Sequence, residues 1–127
     1  MNDHLEWLKI AKSNLNLGKS HCKLIDENIR FEEFCYELQQ CVEKSLKALL
    51  IFKKIEFPKT HSIEKLIDLL QKNGVSLPKN LLVSAKLTDY AIETRYPDDY
   101  TEITEEEYKE AVEIAEAVYK WIIDLFI

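Results

Sequence analysis

The segment 29–54 constrains the fold more than any other part of the chain. Its apolar and small residues recur at steps of three and four, the spacing that places side chains on one face of an α-helix. This stripe consists of Phe31, Phe34, Leu38, Cys41, Val42, Ser45, Leu49 and Phe52, widened by Leu46 and Leu50. A helix that is apolar over more than one face packs against several neighbours. We therefore predict that this helix lies at the centre of the fold.

Four further segments have the patterns of amphipathic helices. They cover residues 3–20, residues 62–72, the stretch from Leu77-Pro78 to about residue 94, and a segment that follows Thr104. Ser62 is a predicted N-cap, and Asn73-Gly74 supplies the left-handed residue that ends a helix. Thr104 and Glu107 have the spacing of a capping box. Because only two glycines and three prolines occur, the sequence predicts an all-α fold, a five-helix up-and-down bundle.

Each of these four helices has a predicted inward face. The inward residues are Trp7, Leu8, Ala11, Leu15 and Gly18 in the first helix, Ile63, Leu66, Ile67 and Leu70 in the third, Leu81, Leu82, Ala85, Tyr90 and Ile92 in the fourth, and Tyr108, Ala111, Val112, Ala115, Val118, Tyr119, Ile122 and Phe126 in the last. A chain of 127 residues, 46% of them hydrophobic, can bury one core without metal or disulfide support. We expect a single domain that spans residues 1–127.

The bulk composition argues against several classes of function. A net charge of −6 disfavours whole-surface attraction to nucleic acid or to an anionic membrane. No apolar stretch approaches the ~20 residues that a membrane-spanning helix needs. The first residues lack a basic segment followed by an apolar run, so no secretory signal is expected. These features predict a cytoplasmic protein that does not act at a membrane.

The sequence has no signature of metal, cofactor or nucleophile chemistry. The three cysteines Cys22, Cys35 and Cys41 form no CxxC pair, and the last two fall within the apolar pattern, as reduced core thiols do. No glycine-rich phosphate loop is present, since Gly18 and Gly74 stand alone. No serine lies in a nucleophile-elbow context. We expect neither a metal site nor a bound cofactor.

The predicted central helix also carries a polar edge. Its members are Gln40, Glu43, Lys44 and Lys47, spaced by three and four. Glu43 and Lys47 have the favourable orientation of an i, i+4 ion pair. The lysines between residues 44 and 59 have two interpretations: a solvated helix face, or a basic patch that guides a partner or an anionic ligand. His61 likewise is either a surface or capping histidine, or part of a polar site near the end of this helix.

An ordered set of motifs resembles a known family. The segments LQQCVEKSLKALLIF, KTHSIEKLIDLL and RYPDDY, followed by a C-terminal helix, are similar to the HEPN domain in its small prokaryotic stand-alone form. The resemblance covers nearly the whole chain. It implies a five-helix bundle that usually forms a dimer. It also implies binding of nucleotides or nucleic acid, and pairing with minimal nucleotidyltransferases in two-gene toxin–antitoxin modules.

Some branches of this family are metal-independent ribonucleases, and this sequence departs from their motif. Those members carry an arginine, four to six further residues and then a histidine at a dimer cleft. Here the corresponding positions after Arg95 hold Tyr100, Thr101 and Glu102, and Arg30 is likewise followed by no histidine at this spacing. The acid–base partner of that mechanism is therefore missing, and we expect no catalysis by this chain.

The resemblance also implies a set of site residues. They are Gln40, Glu43, Lys44, Lys47 and His61, together with Arg95, Tyr96, Pro97 and Asp98 of the RYPDDY turn. Pro97 would direct Arg95 back toward the central helix. There Arg95 would pair with Glu43 or hold a phosphate, and Tyr96 would stack on a base.

The function predicted from these observations is an interaction domain. We expect a homodimer that binds a nucleotide, a minimal nucleotidyltransferase partner or both. A nucleotide-binding regulator with a site across Lys47, His61 and Arg95 is a second hypothesis. A ribonuclease toxin that combines Arg95 with His61 is the alternative, and the missing motif histidine disfavours it.

Overall fold

The computed structural model describes residues 3–20, 30–91 and 102–126 of the chain. It contains the helices α1 (Asp3–Gly18), α2 (Phe31–Phe52), α3 (Ile63–Lys72), α4 (Lys79–Leu82) and α5 (Glu105–Leu125), and a 3₁₀ helix (Val83–Ala91) continues from α4. The described ranges contain no β-strand. The prediction of an all-α fold with five helices is therefore confirmed. Within the same ranges, no helix has both the length and the apolar character needed to cross a membrane.

Helix α2 is the centre of the molecule, as its wide apolar stripe predicts. The helices α1, α3 and α5 and the 3₁₀ helix all pack against it. Between Leu38 and Leu50 every residue is buried except Lys44, which is half-buried. A helix enclosed in this way has no fully solvated face, so its polar side chains must find partners inside the protein.

Close contact between α1 and α2 depends on Gly18 at the end of α1. A Cβ atom at this position would lie 2.6 Å from Leu38 Cδ2, 2.7 Å from Leu38 Cγ and 3.1 Å from the Phe34 carbonyl oxygen. The Tyr108 hydroxyl of α5 donates to the Gly18 carbonyl oxygen over 2.7 Å. Gly18 therefore joins three helices at a point where only a hydrogen atom fits.

The predicted helix starts are present. The Ser62 hydroxyl accepts from Lys65 N over 3.3 Å at the start of α3. At the start of α5, Thr104 and Glu107 form a complete capping box, in which each side chain accepts from the other residue's backbone N–H. These contacts satisfy helix N–H groups that otherwise have no partner.

Both α2 and α3 end in the same hydrogen-bond pattern. The amide of Val75 donates to the Leu70 carbonyl over 2.9 Å, and the left-handed residue before it is the predicted Gly74 (φ +84°). In α2 the amide of Ile55 donates to the Leu50 carbonyl over 2.9 Å, and the left-handed residue is Lys54 (φ 60°). This is the Schellman ending. It stops α2 at Phe52, close to residue 54, where the segment predicted from the sequence ends.

The predicted fourth helix differs most from the structure. Only Lys79–Leu82 is α-helical, and Val83–Ala91 is a 3₁₀ helix. The buried residues Leu81, Ser84 and Leu87 recur every three positions, which matches the three residues per turn of a 3₁₀ helix. The α-helical pattern placed Leu82 inward, whereas it is exposed, and it missed Leu87. Its last predicted residues, including Ile92, lie outside the described ranges.

Most other predicted core positions are buried, with a few exceptions. Phe52 is exposed because it ends α2 at the edge of the bundle, where its ring packs against His4 and Phe126. Cys35 and Cys41 are buried, as predicted, and burial raises the pKa of the Cys41 thiol to about 12. That thiol is therefore unreactive near neutral pH. Cys22 lies outside the described residues.

We predict that Gly18→Ala destabilises the protein although alanine is the better helix former. The gain in helix propensity is about 0.5–1 kcal/mol, whereas forcing extra volume into a packed core costs about 1–3 kcal/mol. The free energy of unfolding, measured by urea denaturation, should fall by about 1 kcal/mol or more. Asn16→Ala on the exposed side of α1 is the control and should be neutral or slightly stabilising. Equal stability of Gly18→Ala and wild type would contradict the close packing.

Candidate functional site

The buried polar residues of α2 include four that lie close together, Gln39, Gln40, Glu43 and Lys47. All four side chains are buried, Gln39 and Glu43 more completely than Gln40 and Lys47. They follow one another at helical spacing along a single side of α2. Of the two interpretations of the lysines, the solvated face is wrong for Lys47, since α2 is covered on this side.

The Glu43 carboxylate is the hub of these contacts. Lys47 Nζ donates to Oε2 over 2.9 Å. Gln39 Nε2 donates to Oε1 over 3.1 Å, and His61 Nδ1 lies 3.0 Å from the same oxygen. Gln40 extends the group by donating to Gln39 Oε1 over 2.8 Å. These five residues form one connected set, referred to below as the Glu43 cluster.

The cluster joins α2 to the segment that leads into α3. Gln39 Nε2 also lies 3.4 Å from the His61 carbonyl oxygen, so both the backbone and the ring of His61 contact α2. The same segment is held by Thr60 Oγ1, which accepts from Ser62 N, and by Thr88 Oγ1 of the 3₁₀ helix, which accepts from Ile63 N, each over 3.0 Å. His61 is thus positioned by its own backbone contacts as well as by Glu43.

The cluster spans the boundary between the interior and the solvent. The side chains of Glu43 and Lys47 are 3% and 9% exposed, whereas the His61 side chain is 74% exposed. His61 is therefore both a surface histidine and a member of the polar site, which unites the two interpretations of this residue. Its ring is the group of the cluster that a ligand in solution can reach.

A pocket of about 380 Å³ opens beside His61. This depression, the His61 pocket, is lined by Trp7, Lys47, Phe57, Pro58, Lys59, Thr60 and His61. Lys47 Nζ lies 5.7 Å from the centre of the Trp7 ring and 5.9 Å from that of Phe57. At these distances the cation interacts favourably with both aromatic faces. The pocket therefore combines aromatic walls with basic and imidazole groups, and small-molecule sites commonly have such a mixture of apolar surface and a few polar groups.

The electrostatics of the cluster favour an ionised Glu43. Burial by itself raises the pKa of Glu43, but the hydrogen bonds from Lys47, Gln39 and His61 and the charge of Lys47 outweigh burial. The pKa therefore lies below its ordinary value of 4.5. A carboxylate with a lowered pKa stabilises the fold at pH values above the ordinary pKa, and this stabilisation is lost as the pH falls through the lowered value.

The predicted site residues separate into three groups. Gln40, Glu43, Lys47 and His61 belong to the Glu43 cluster. Lys44 points elsewhere, because its Nζ donates to Asn14 Oδ1 of α1 over 3.2 Å. The third group, Arg95, Tyr96, Pro97 and Asp98, lies outside the described residues, and so does the predicted contact between Arg95 and Glu43.

The predicted site set contains only Lys47 and His61 of the residues that line the pocket. The sequence analysis places Trp7 in the core stripe of the first helix and includes Lys59 only as the last lysine of the possible basic patch, and it assigns no role in a site to Phe57, Pro58 or Thr60. A signal for these residues is present in the sequence, because the segment FPK places an aromatic and a basic residue between the end of α2 and His61. Among the described residues, no group of three or more His, Cys, Asp or Glu side chains is arranged to hold a metal ion.

We predict that Glu43 and Lys47 depend on each other for stability. Removing one member of a buried ion pair costs about 3–5 kcal/mol because the other charge is left buried. Glu43→Gln and Lys47→Met should each be strongly destabilising, and the double variant should lose much less than the sum. A double-mutant cycle by urea denaturation measures this coupling. Strictly additive losses would contradict the pairing.

The same variants test the pH dependence. Wild-type stability should decline as the pH falls below about 4.5, as Glu43 is protonated. Part of this decline should be absent in the Glu43→Gln/Lys47→Met variant. An identical slope in both proteins would show that Glu43 does not contribute to acid unfolding.

Comparisons with known proteins agree with the fold. A family model described as HEPN domain matches residues 4–125. The crystal structure of TT1696 from Thermus thermophilus superposes with a TM-score of 0.77 at 30% sequence identity and covers 98% of both chains. ST0689, an archaeal HEPN homologue, gives a TM-score of 0.75 at 27% identity over 98% of both chains. No curated protein matches the sequence. The resemblance seen in the motifs is confirmed, and the chain belongs to the HEPN domain family.

Proposed function

We propose that this chain is a non-catalytic HEPN interaction domain. It forms a homodimer, binds a nucleotide in the His61 pocket, and acts with a minimal nucleotidyltransferase partner in a toxin–antitoxin type of module. The observation that carries the proposal is the lining of that pocket, where two aromatic rings stand beside basic side chains.

The pocket lining suits the two chemical parts of a nucleotide. Trp7 and Phe57 supply aromatic surfaces for a base, and stacking of this kind contributes about 1–3 kcal/mol per base. Lys59 is exposed and His61 presents its ring to solvent, so both can approach a phosphate. The charge of Lys47 is already balanced by Glu43, and this lysine serves mainly to shape the floor of the pocket.

The absence of catalysis is inferred from the sequence. No histidine follows either arginine at the spacing of the ribonuclease branches. His61 precedes Arg95 in the chain and is engaged by Glu43 through Nδ1. A domain that binds a nucleotide without this acid–base pair is suited to regulation or to partner recognition.

The exposed face of α1 supports the homodimer. Ile10 and Leu17 are 47% and 52% exposed and lie seven positions apart, so they share one side of the helix. Apolar side chains at this spacing are typical of helices that pack against a second helix. We place the dimer contact on this side of α1.

Nucleotide binding is tested by calorimetry with ATP, GTP and AMP. We expect saturable binding that Trp7→Leu and Lys59→Ala each weaken by about tenfold, which corresponds to ~1.4 kcal/mol. Lys79→Ala, an exposed lysine of α4 outside the pocket, is the matched control and should bind as wild type does. No heat and no thermal shift with any of the three at millimolar concentration would overturn the nucleotide site.

The homodimer is tested by size-exclusion chromatography with light scattering. Wild type should have about twice the chain mass of 15.0 kDa. Ile10→Lys/Leu17→Lys should be monomeric because two ammonium groups would be desolvated at the contact. Leu82→Lys, another exposed apolar position, should leave the dimer intact. A wild type that stays monomeric at high micromolar concentration would refute the dimer.

A further inference from the structure

The two ring nitrogens of His61 have different surroundings. Nδ1 lies 3.0 Å from Glu43 Oε1, and the remaining partners of this carboxylate, Lys47 and Gln39, are donors. An ionised carboxylate can only accept hydrogen bonds, so Nδ1 must carry a hydrogen atom. The pKa of Glu43 lies below its ordinary value because these donors outweigh burial, which keeps the carboxylate ionised near neutral pH.

This arrangement leaves Nε2 as the ring nitrogen whose hydrogen-bonding role Glu43 does not fix. In a neutral imidazole with its hydrogen on Nδ1, Nε2 has a lone pair and accepts hydrogen bonds. A phosphate oxygen also has only lone pairs to offer, so it cannot be bound by that form of the ring. After uptake of a proton, Nε2 becomes a charged donor and binds an anion well.

We propose that Glu43 is a positioning residue that fixes His61 in the Nδ1–H form and thereby couples binding of an anionic ligand in the His61 pocket to uptake of one proton at Nε2. The proton comes from solvent and returns to it when the ligand leaves. The coupling rests on the proposed nucleotide site, whereas the fixed Nδ1–H form follows from the contacts of the unliganded protein.

The charges around His61 are compatible with this step. From α2 it faces Glu43 and, through that carboxylate, Lys47; Lys59 lines the same pocket. The α1 side of the pocket is Trp7, which does not titrate, and Glu64 and Lys65 follow in the first turn of α3. Glu43 and Lys47 neutralise each other, so an added proton on His61 is balanced by the incoming anion. Histidine is the side chain that ordinarily changes its charge between pH 5 and 8.

A ligand that offers a hydroxyl or amino hydrogen to Nε2 needs no proton. Affinity for anionic and for neutral ligands should therefore diverge as the pH falls. The preference of the pocket for a nucleotide over an uncharged nucleoside therefore depends on pH. Glu43 controls this dependence although it is buried and does not touch the ligand.

The first test uses no ligand. Proton–nitrogen correlation spectra of ¹⁵N-labelled wild type at pH 8.5 should show His61 with its hydrogen on Nδ1, and His61→Gln identifies its signals among the three histidines. In Glu43→Gln/Lys47→Met, the ring should shift toward the Nε2–H form that histidine prefers in water. A wild-type ring with its hydrogen on Nε2 would overturn the inference and leave the nucleotide proposal untouched.

The second test measures the coupling. The probes are 3′,5′-cyclic AMP, whose phosphodiester keeps a single negative charge from pH 6 to 8.5, and uncharged adenosine. Calorimetry across this range should show an affinity for cyclic AMP that falls as the pH rises, by at most about tenfold per pH unit for the uptake of one proton. The affinity for adenosine should not rise as the pH falls, and His61→Gln should remove the pH dependence for cyclic AMP.

The outcomes separate the two proposals. Binding of cyclic AMP with the same affinity across the range would overturn the coupling while supporting the nucleotide site. Failure of every nucleotide and nucleoside probe to bind at any pH would overturn the nucleotide site, and the coupling with it.

Discussion

A carboxylate that is buried in a protein needs hydrogen-bond donors around it. At Glu43 this requirement determines the polar contacts between α2 and the segment that leads into α3. Two of its partners, Gln39 and Lys47, come from the same helix, one turn before and one turn after. The third, His61, comes from the segment that precedes α3. Because an unpaired buried charge costs several kcal/mol, the position of that segment is linked to the interior of α2.

The pocket is a consequence of how α2 ends. The left-handed Lys54 and the Schellman hydrogen bonds stop the helix and redirect the chain. Residues 57–61 then form one side of a depression whose other side is Trp7 of α1. A short polar segment, an aromatic pair and a buried ion pair are thereby brought to one place. None of them carries a recognisable binding motif by itself.

Membership of the HEPN family sets the context for this site, and the residues present decide its chemistry. In the Glu43 cluster, the solvent-facing ring of His61 contacts the buried Glu43 carboxylate, whose charge is balanced by Lys47. In our proposal, this arrangement binds an anion in a pH-dependent way and needs no catalytic pair. Glu43 would then have two roles, because the same side chain supports the core and positions the exposed ring.

Much of the fold was predictable because it depends on local interactions. The capping box at Thr104, the N-cap at Ser62, the turn at Gly74 and the central position of α2 all follow from residue type and spacing. The 3₁₀ helix was mistaken for an α-helix because its period of three and the α-helical period differ little over so short a segment.

The sequence by itself determined where most of the helices lie, which residues cap the starts of α3 and α5, and that Glu43 and Lys47 share one side of α2. Only the tertiary structure decided that this side is buried, that His61 reaches Glu43, and that Trp7 faces the same pocket. The physical reason is that periodicity reports the direction of a side chain from its own helix axis. What covers that side chain depends on packing between segments distant in the chain, and burial then turns a weak surface pair into a strongly coupled one.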